Sequence, residues 1–201
     1  MAIAYSLQPT IMEVTSEDTP EPFSRDQFTS LAATYPELRL EMTAEGKISI
    51  MPPSGGESSY QSSVVGGRLF AWSEQDGMGM TFDASVGYDL PNGATRSPDA
   101  SWLLRSRWEG LTREQRRKFL PLCPDFLVEV LSPTDSLVET RLKMVEYIEN
   151  GARLAWLINP RRKQIENYRP GQDVDVLDNP TSVSGEPELP GFILSLKGIF
   201  D

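Results

Sequence analysis

The sequence predicts an α/β fold, on the strength of three neighbouring segments. Phe126-Leu-Val-Glu-Val-Leu131 is an apolar run broken only by Glu129, as a strand covered on both faces requires. Ser136 to Asn150 has helical composition and is stopped near Gly151. Leu154-Ala-Trp-Leu-Ile158 then reads as a second interior strand. Strand, helix and strand in this order imply a parallel crossover, which is right-handed in nearly all proteins.

The other elements follow in chain order. Residues 1–22 are polar, with Pro9, Pro20 and Pro22, and read as an extended tail ahead of a single domain over 23–201. Ser24 and Gln27 form a capping box for a first helix with Phe28, Leu31, Ala32 and Tyr35 on one face, ended by Pro36. Leu38, Leu40 and Met42 alternate with Arg39, Glu41 and Thr43, a strand pattern. Glu45-Gly46 turns the chain into a returning strand, Lys47 to Met51, which gives an N-terminal β-hairpin. A longer helix is expected from about Glu57 to Trp72, then short strands at 78–82, 85–90 and from Asp99 to Leu104. Thr112 to Phe119 reads as a helix or a surface excursion. A hairpin-like pair at 164–169 and 173–177 precedes a polar loop over 178–190 and a short apolar ending from Phe192 to Phe200.

Composition removes several chemistries. The chain has no histidine, which excludes a Ser-His-Asp triad and histidine-ligated zinc. Cys123 is the only cysteine, so no internal disulfide can form, and beside Pro124 it reads as a small core or loop residue. Hydrophobic residues make up 39% of the chain, enough for a substantial core. The N-terminus lacks a positive region followed by an apolar run, and nothing approaches the roughly 20 apolar residues of a membrane span. A cytoplasmic protein without a membrane partner is the expectation. The formal net charge of -10 opposes nucleic-acid binding, which draws its affinity from Lys and Arg against phosphates. Two local clusters run against that balance: Arg105 to Lys118, with six cations, and Arg161-Arg162-Lys163. Both also read as solvated turns or helix faces.

Three side chains carry the candidate chemistry. Glu129 shares a strand face with Leu127 and Leu131, so its carboxylate needs a metal, a lysine or hydrogen bonds, or else a solvent-reaching rim. Asp99, in Ser97-Pro98-Asp99, matters only if its strand adjoins that of Glu129; otherwise it is an ordinary turn residue. Lys143 lies fourteen residues after Glu129 on the next helix, where Glu139, Glu146 and Tyr147 also offer a surface pairing. Two carboxylates and an ammonium suit hydrolysis assisted by Mg²⁺ or Mn²⁺, which prefer oxygen ligands.

The chain resembles the Uma2 family (DUF820), endonuclease-like proteins common in cyanobacteria and similar to the PD-(D/E)XK superfamily. The resemblance runs from about Phe23 to Phe200. It is carried by Leu40-Glu-Met-Thr-Ala-Glu-Gly-Lys-Ile48, Met51-Pro-Pro-Ser54, Ser97-Pro-Asp99 and Val128-Glu-Val-Leu-Ser-Pro-Thr-Asp135. Lys143 with Tyr147, Gly151-Ala-Arg-Leu-Ala-Trp-Leu-Ile-Asn-Pro160 and Leu189-Pro-Gly-Phe192 complete the series. It implies a restriction-endonuclease-like mixed sheet flanked by helices, with the hairpin added. By the resemblance, Asp99 and Glu129 are the two acids of the site and metal ligands, and Lys143 is a displaced lysine, since Leu131 stands two positions after Glu129. Glu41 matches a further family carboxylate that completes or orients the metal site; as a bare strand position it reads equally as an outward-facing charge. Asp135 reads as a helix cap. After Gly56, where relatives place a histidine, this chain departs from the pattern.

The implied activity is Mg²⁺- or Mn²⁺-dependent cleavage of nucleic acid, DNA ahead of RNA, by a homodimer that presents two sites to opposite strands. The competing readings are a nuclease-fold protein that has lost productive metal geometry and binds protein or nucleic acid, and a hydrolase of other phosphoesters.

Overall fold

The computed structural model describes residues 22–201, so the expected N-terminal tail lies outside the described residues except for Pro22. Helix α1 (Arg25–Thr34) begins on the expected capping box: Gln27 N donates to Ser24 Oγ, and Ser24 N donates to Gln27 Oε1. Its Phe28 is fully buried against Leu40 and Met42. Strands β1 (Arg39–Met42) and β2 (Ile48–Met51) form the expected antiparallel hairpin. At its turn Gly46 has φ +80°, and a Cβ there would fall 2.5 Å from the Phe23 carbonyl oxygen, so only glycine fits.

The chain continues through α2 (Gly56–Asp76), β3 (Gly79–Asp83), β4 (Tyr88–Asp89), β5 (Thr95–Arg96), β6 (Ala100–Leu104) and α3 (Arg105–Glu109). Then follow β7 (Phe126–Val130), α4 (Leu137–Glu149), β8 (Leu154–Asn159), β9 (Gln164–Tyr168), β10 (Asp175–Asp178), β11 (Ser182–Ser184) and β12 (Ile193–Ser195). The segment expected as a helix or surface excursion is the latter, with a single 3-10 turn at Gln115–Arg117. The polar loop expected over 178–190 contains β11, which pairs with β12. Three-residue strands with one buried side chain each carry too little periodicity to be read locally.

The main sheet has six strands in the order β10-β9-β8-β7-β6-β3. Only β7 and β8 run parallel, joined through α4; every other neighbour is antiparallel, which makes the sheet mixed. The N-terminal hairpin does not stand alone, because β1 also pairs with β5 and closes a second sheet, β2-β1-β5-β4.

The main sheet is covered on both faces. Phe126, Val128 and Val130 face Val65 and Leu69 of α2 and Phe192 and Leu194 near the C-terminus. Leu127 and Leu131 face the other way, with Met144 and Tyr147 of α4 and with Tyr88 and Leu120. Every β7 residue is buried, Glu129 included at 8% exposure. No helix among the described residues is long and apolar enough to cross a membrane.

Candidate active site

Strand direction brings the expected residues to one end of the sheet. β6 pairs antiparallel with β7, Ala100 opposite Val128; one further step of that register sets Asp99 beside Glu129. Asp99 Oδ2 accepts a hydrogen bond of 2.8 Å from Val130 N, so the neighbouring strand itself fixes this carboxylate. Glu129 points to the α4 side, as its alternation with Leu127 and Leu131 requires.

Helix α4 supplies the cation. Ser136 caps it by accepting from Glu139 N, and Met144 and Tyr147 anchor it on the sheet. Lys143, at the edge of that buried stripe, reaches back over the strand end. Its Nζ lies 2.8 Å from Glu41 Oε1 and 2.8 Å from Glu129 Oε1, with 16% of the side chain exposed. Tyr147 Oη also donates to Glu129 Oε1, at 3.1 Å. The surface pairing open to Lys143 within α4 does not form: Glu146 instead binds Arg96 and accepts from Asn92 Nδ2.

Glu41 does not face outward. It is 4% exposed, because Lys143 of α4 and Arg96 of β5 close over its side chain. Its Oε1 accepts from Ser97 N at 2.8 Å as well as from Lys143, and Arg96 Nη1 lies 3.4 Å from its Oε2. Both oxygens are therefore committed. Sequence reasoning missed Arg96, although it directly precedes Ser97-Pro98-Asp99. It also missed Arg39, which lines the cleft and donates from Nη2 to Ser97 O at 3.1 Å.

One ammonium stands between two carboxylates and cannot neutralise both. Burial opposes the charge of Glu41, but Lys143, Arg96 and the Ser97 N–H outweigh it and hold its pKa below the ordinary value. Glu129 lacks that surplus of donors. Burial first, then the charges of Asp99 and Glu41, push it up to about 7 against the pull of Lys143. Burial disfavours the Lys143 cation, yet Glu129 and Glu41 together keep its pKa above the usual lysine value. Burial also raises Asp99, despite its bond from Val130 N. Cys123, buried, with its thiol donating to Tyr147 O and pushed up to about 12 by desolvation, is a core residue and no nucleophile.

Asp99, Glu129 and Lys143 open on a cleft of about 590 Å³, walled by residues 52–58, the loop before α2 and its first turn, on one side and by 132–135 on the other. Asp135 accepts from Ser132 N, which closes the turn before α4. Among the described residues, no group of three or more Asp, Glu or Cys side chains is placed to hold an ion. Asp99 Oδ1 and Glu129 Oε2, however, accept no hydrogen bond from the described residues. Mg²⁺ keeps several waters and is commonly held by one or two carboxylates, so a two-acid set fits it better than it fits a dehydrated, all-protein cage.

An acidic pair at the end of a mixed sheet, beneath a helix-borne lysine, defines an α/β protein of the nuclease-fold class. The chain belongs to the Uma2 family, described as "Putative restriction endonuclease", which matches residues 25–197. It is similar to a nuclease of Anabaena variabilis ATCC 29413, described as putative and belonging to DUF820, whose crystal structure superposes with a TM-score of 0.75. The two are 26% identical over 89% of this chain and 98% of that one. No curated protein matches the chain.

Proposed function

We propose that the protein is a metal-dependent endonuclease that hydrolyses nucleic-acid phosphodiester bonds, with DNA preferred over RNA. The observation that carries this reading is the meeting of Asp99, Glu129 and Lys143 in one open cleft, from three separate elements. The description of the family as a restriction endonuclease supports DNA as the substrate.

Asp99 and Glu129 would hold Mg²⁺ or Mn²⁺ through their unengaged oxygens. When bound, the ion supplies Lewis-acid polarisation of the phosphoryl group and a more acidic bound water. Because Glu41 and Glu129 keep Lys143 protonated, it acts as a donor that orients the attacking water and stabilises charge developing on the phosphoryl oxygens, not as a base. Glu41, with both oxygens engaged, positions Lys143 and leaves the ion to the other two acids. Tyr147 fixes the Glu129 carboxylate from behind. A homodimer would set two such clefts against opposite strands.

The test compares purified wild type with Asp99→Asn and Glu129→Gln on single- and double-stranded DNA and on RNA, with Mg²⁺, Mn²⁺ or chelator. Chelator-sensitive cleavage that falls at least about a hundredfold in each variant is expected, at or beyond what loss of an outer-shell partner costs a metal site. Equal cleavage by all three proteins rejects the assignment. Sedimentation of the same samples reads the oligomeric state.

A further inference from the structure

We infer that the β8–β9 turn, Pro160-Arg161-Arg162-Lys163, is the surface that grips the phosphate backbone of the substrate beside the cleft. The inference rests on the nuclease reading above and names where an acidic protein holds a polyanion.

Position comes first. β7 and β8 run parallel, with Val130 opposite Ile158, so the turn that follows Asn159 leaves the sheet at the same end as Glu129. The Arg161 guanidinium reaches to 3.5 Å from the carbonyl oxygen of Pro133, itself part of the cleft wall. The cations therefore continue the rim of the cleft.

The turn is also built to present them. Arg162 N donates to Asn159 Oδ1, Lys163 N to Pro160 O and Asn179 N to Lys163 O, so the backbone is tied at three points. All three cations are exposed, and among the described residues none forms an ion pair with an acid. The nearby acids are engaged elsewhere: Glu166 with Arg141, Asp178 with Gln164. Free cations on a fixed turn beside an acidic cleft complement a phosphodiester chain that enters the cleft at one phosphate and leaves along the rim.

The larger cluster, Arg105 to Lys118, does not serve this purpose. It departs from Leu104, the end of β6 opposite Asp99. Arg107 is paired with Asp125 and Lys118 with Glu114. Arg105 donates to Gly77 O, while Arg116 lies over the Trp108 ring and donates to the carbonyls of Trp108 and Glu109.

The experiment uses the full chain carrying Glu129→Gln, with Mg²⁺ present, and a fluorescein-labelled DNA oligonucleotide, single-stranded or duplex, read by anisotropy across salt. Into this background go a rim triple, Arg161→Gln/Arg162→Gln/Lys163→Gln, and a charge-matched control, Arg113→Gln/Arg117→Gln/Lys118→Gln. Three lost phosphate contacts lower the slope of log affinity against log salt by about 2.7 on duplex and about 2.1 on single strands. Between about 50 and 200 mM salt, the parent then loses about fortyfold more duplex affinity than the rim triple, while the control follows the parent. An unchanged slope in the rim triple, an equal change in the control, or no binding by the parent overturns the inference. Cleavage by wild-type protein is scored separately. Cleavage with an unchanged rim slope leaves the nuclease reading standing and removes the rim; a lost rim slope without any wild-type cleavage does the reverse.

Discussion

Replacing Lys143 with methionine tests whether the buried charge network is assembled as the structure shows. The substitution keeps an unbranched stem of similar shape and removes the ammonium that lies 2.8 Å from both Glu41 and Glu129. The three side chains are only 16%, 6% and 11% exposed, so solvent screens the loss poorly. Breaking a buried pair by deleting one partner costs about 3–5 kcal/mol. The lower end, about 3 kcal/mol, applies here because Glu41 retains Arg96 and the Ser97 N–H, and Glu129 can take up a proton. In a Glu41→Gln background the same substitution leaves only Glu129 to be neutralised. There Glu129 loses the opposing charge of Glu41 together with the lysine and takes up a proton, so the substitution costs less, about 1 kcal/mol. The expected coupling is therefore about 2 kcal/mol. Urea unfolding of the wild type, both single variants and the double variant, followed by tryptophan fluorescence, measures it. Destabilisations that add to within about 0.5 kcal/mol would refute the network, since that is how independent sites behave.

Two further outcomes are expected. Metal-free protein should lose stability as pH rises from about 4.5 to about 7: the folded Glu129 pKa lies above its ordinary 4.5, so the folded state holds the extra proton across that window. Thermal unfolding against pH should show this fall, and Glu129→Gln should flatten it. Mg²⁺ affinity by calorimetry should rise over the same window with proton release; a pH-independent affinity counts against Glu129 as a ligand. Gly79→Ala should destabilise by about 1–3 kcal/mol, because a Cβ there would sit 2.1 Å from Trp102 Cε2 in a packed core; a melting temperature equal to that of wild type would contradict the packing.

Much of the fold was legible in the chain because its signals are local. Ser24 and Gln27 stand three residues apart and make their box without help from elsewhere. Glu129 betrayed its facing through two leucines on its own strand, and the β7–α4–β8 order carried the parallel crossover. The two-residue strand β5 escaped notice: Thr95 and Arg96 form a strand only because β1 and β4 lie on either side.

What the sequence alone determined was an α/β chain; that Asp99, Glu129 and Lys143 carry its chemistry was an expectation drawn from family resemblance. Only the tertiary structure decided what each charge does. Glu41 meets Ser97 across 56 positions and Lys143 across 102, and no local pattern encodes such a meeting. The same holds for the two basic clusters: in one, Arg105, Arg107, Arg116 and Lys118 are engaged within the fold, while in the other, at the cleft rim, none of the three cations pairs with an acid among the described residues. Charge is a property of residue type, but its availability depends on which distant partners the packed chain brings within a few ångströms.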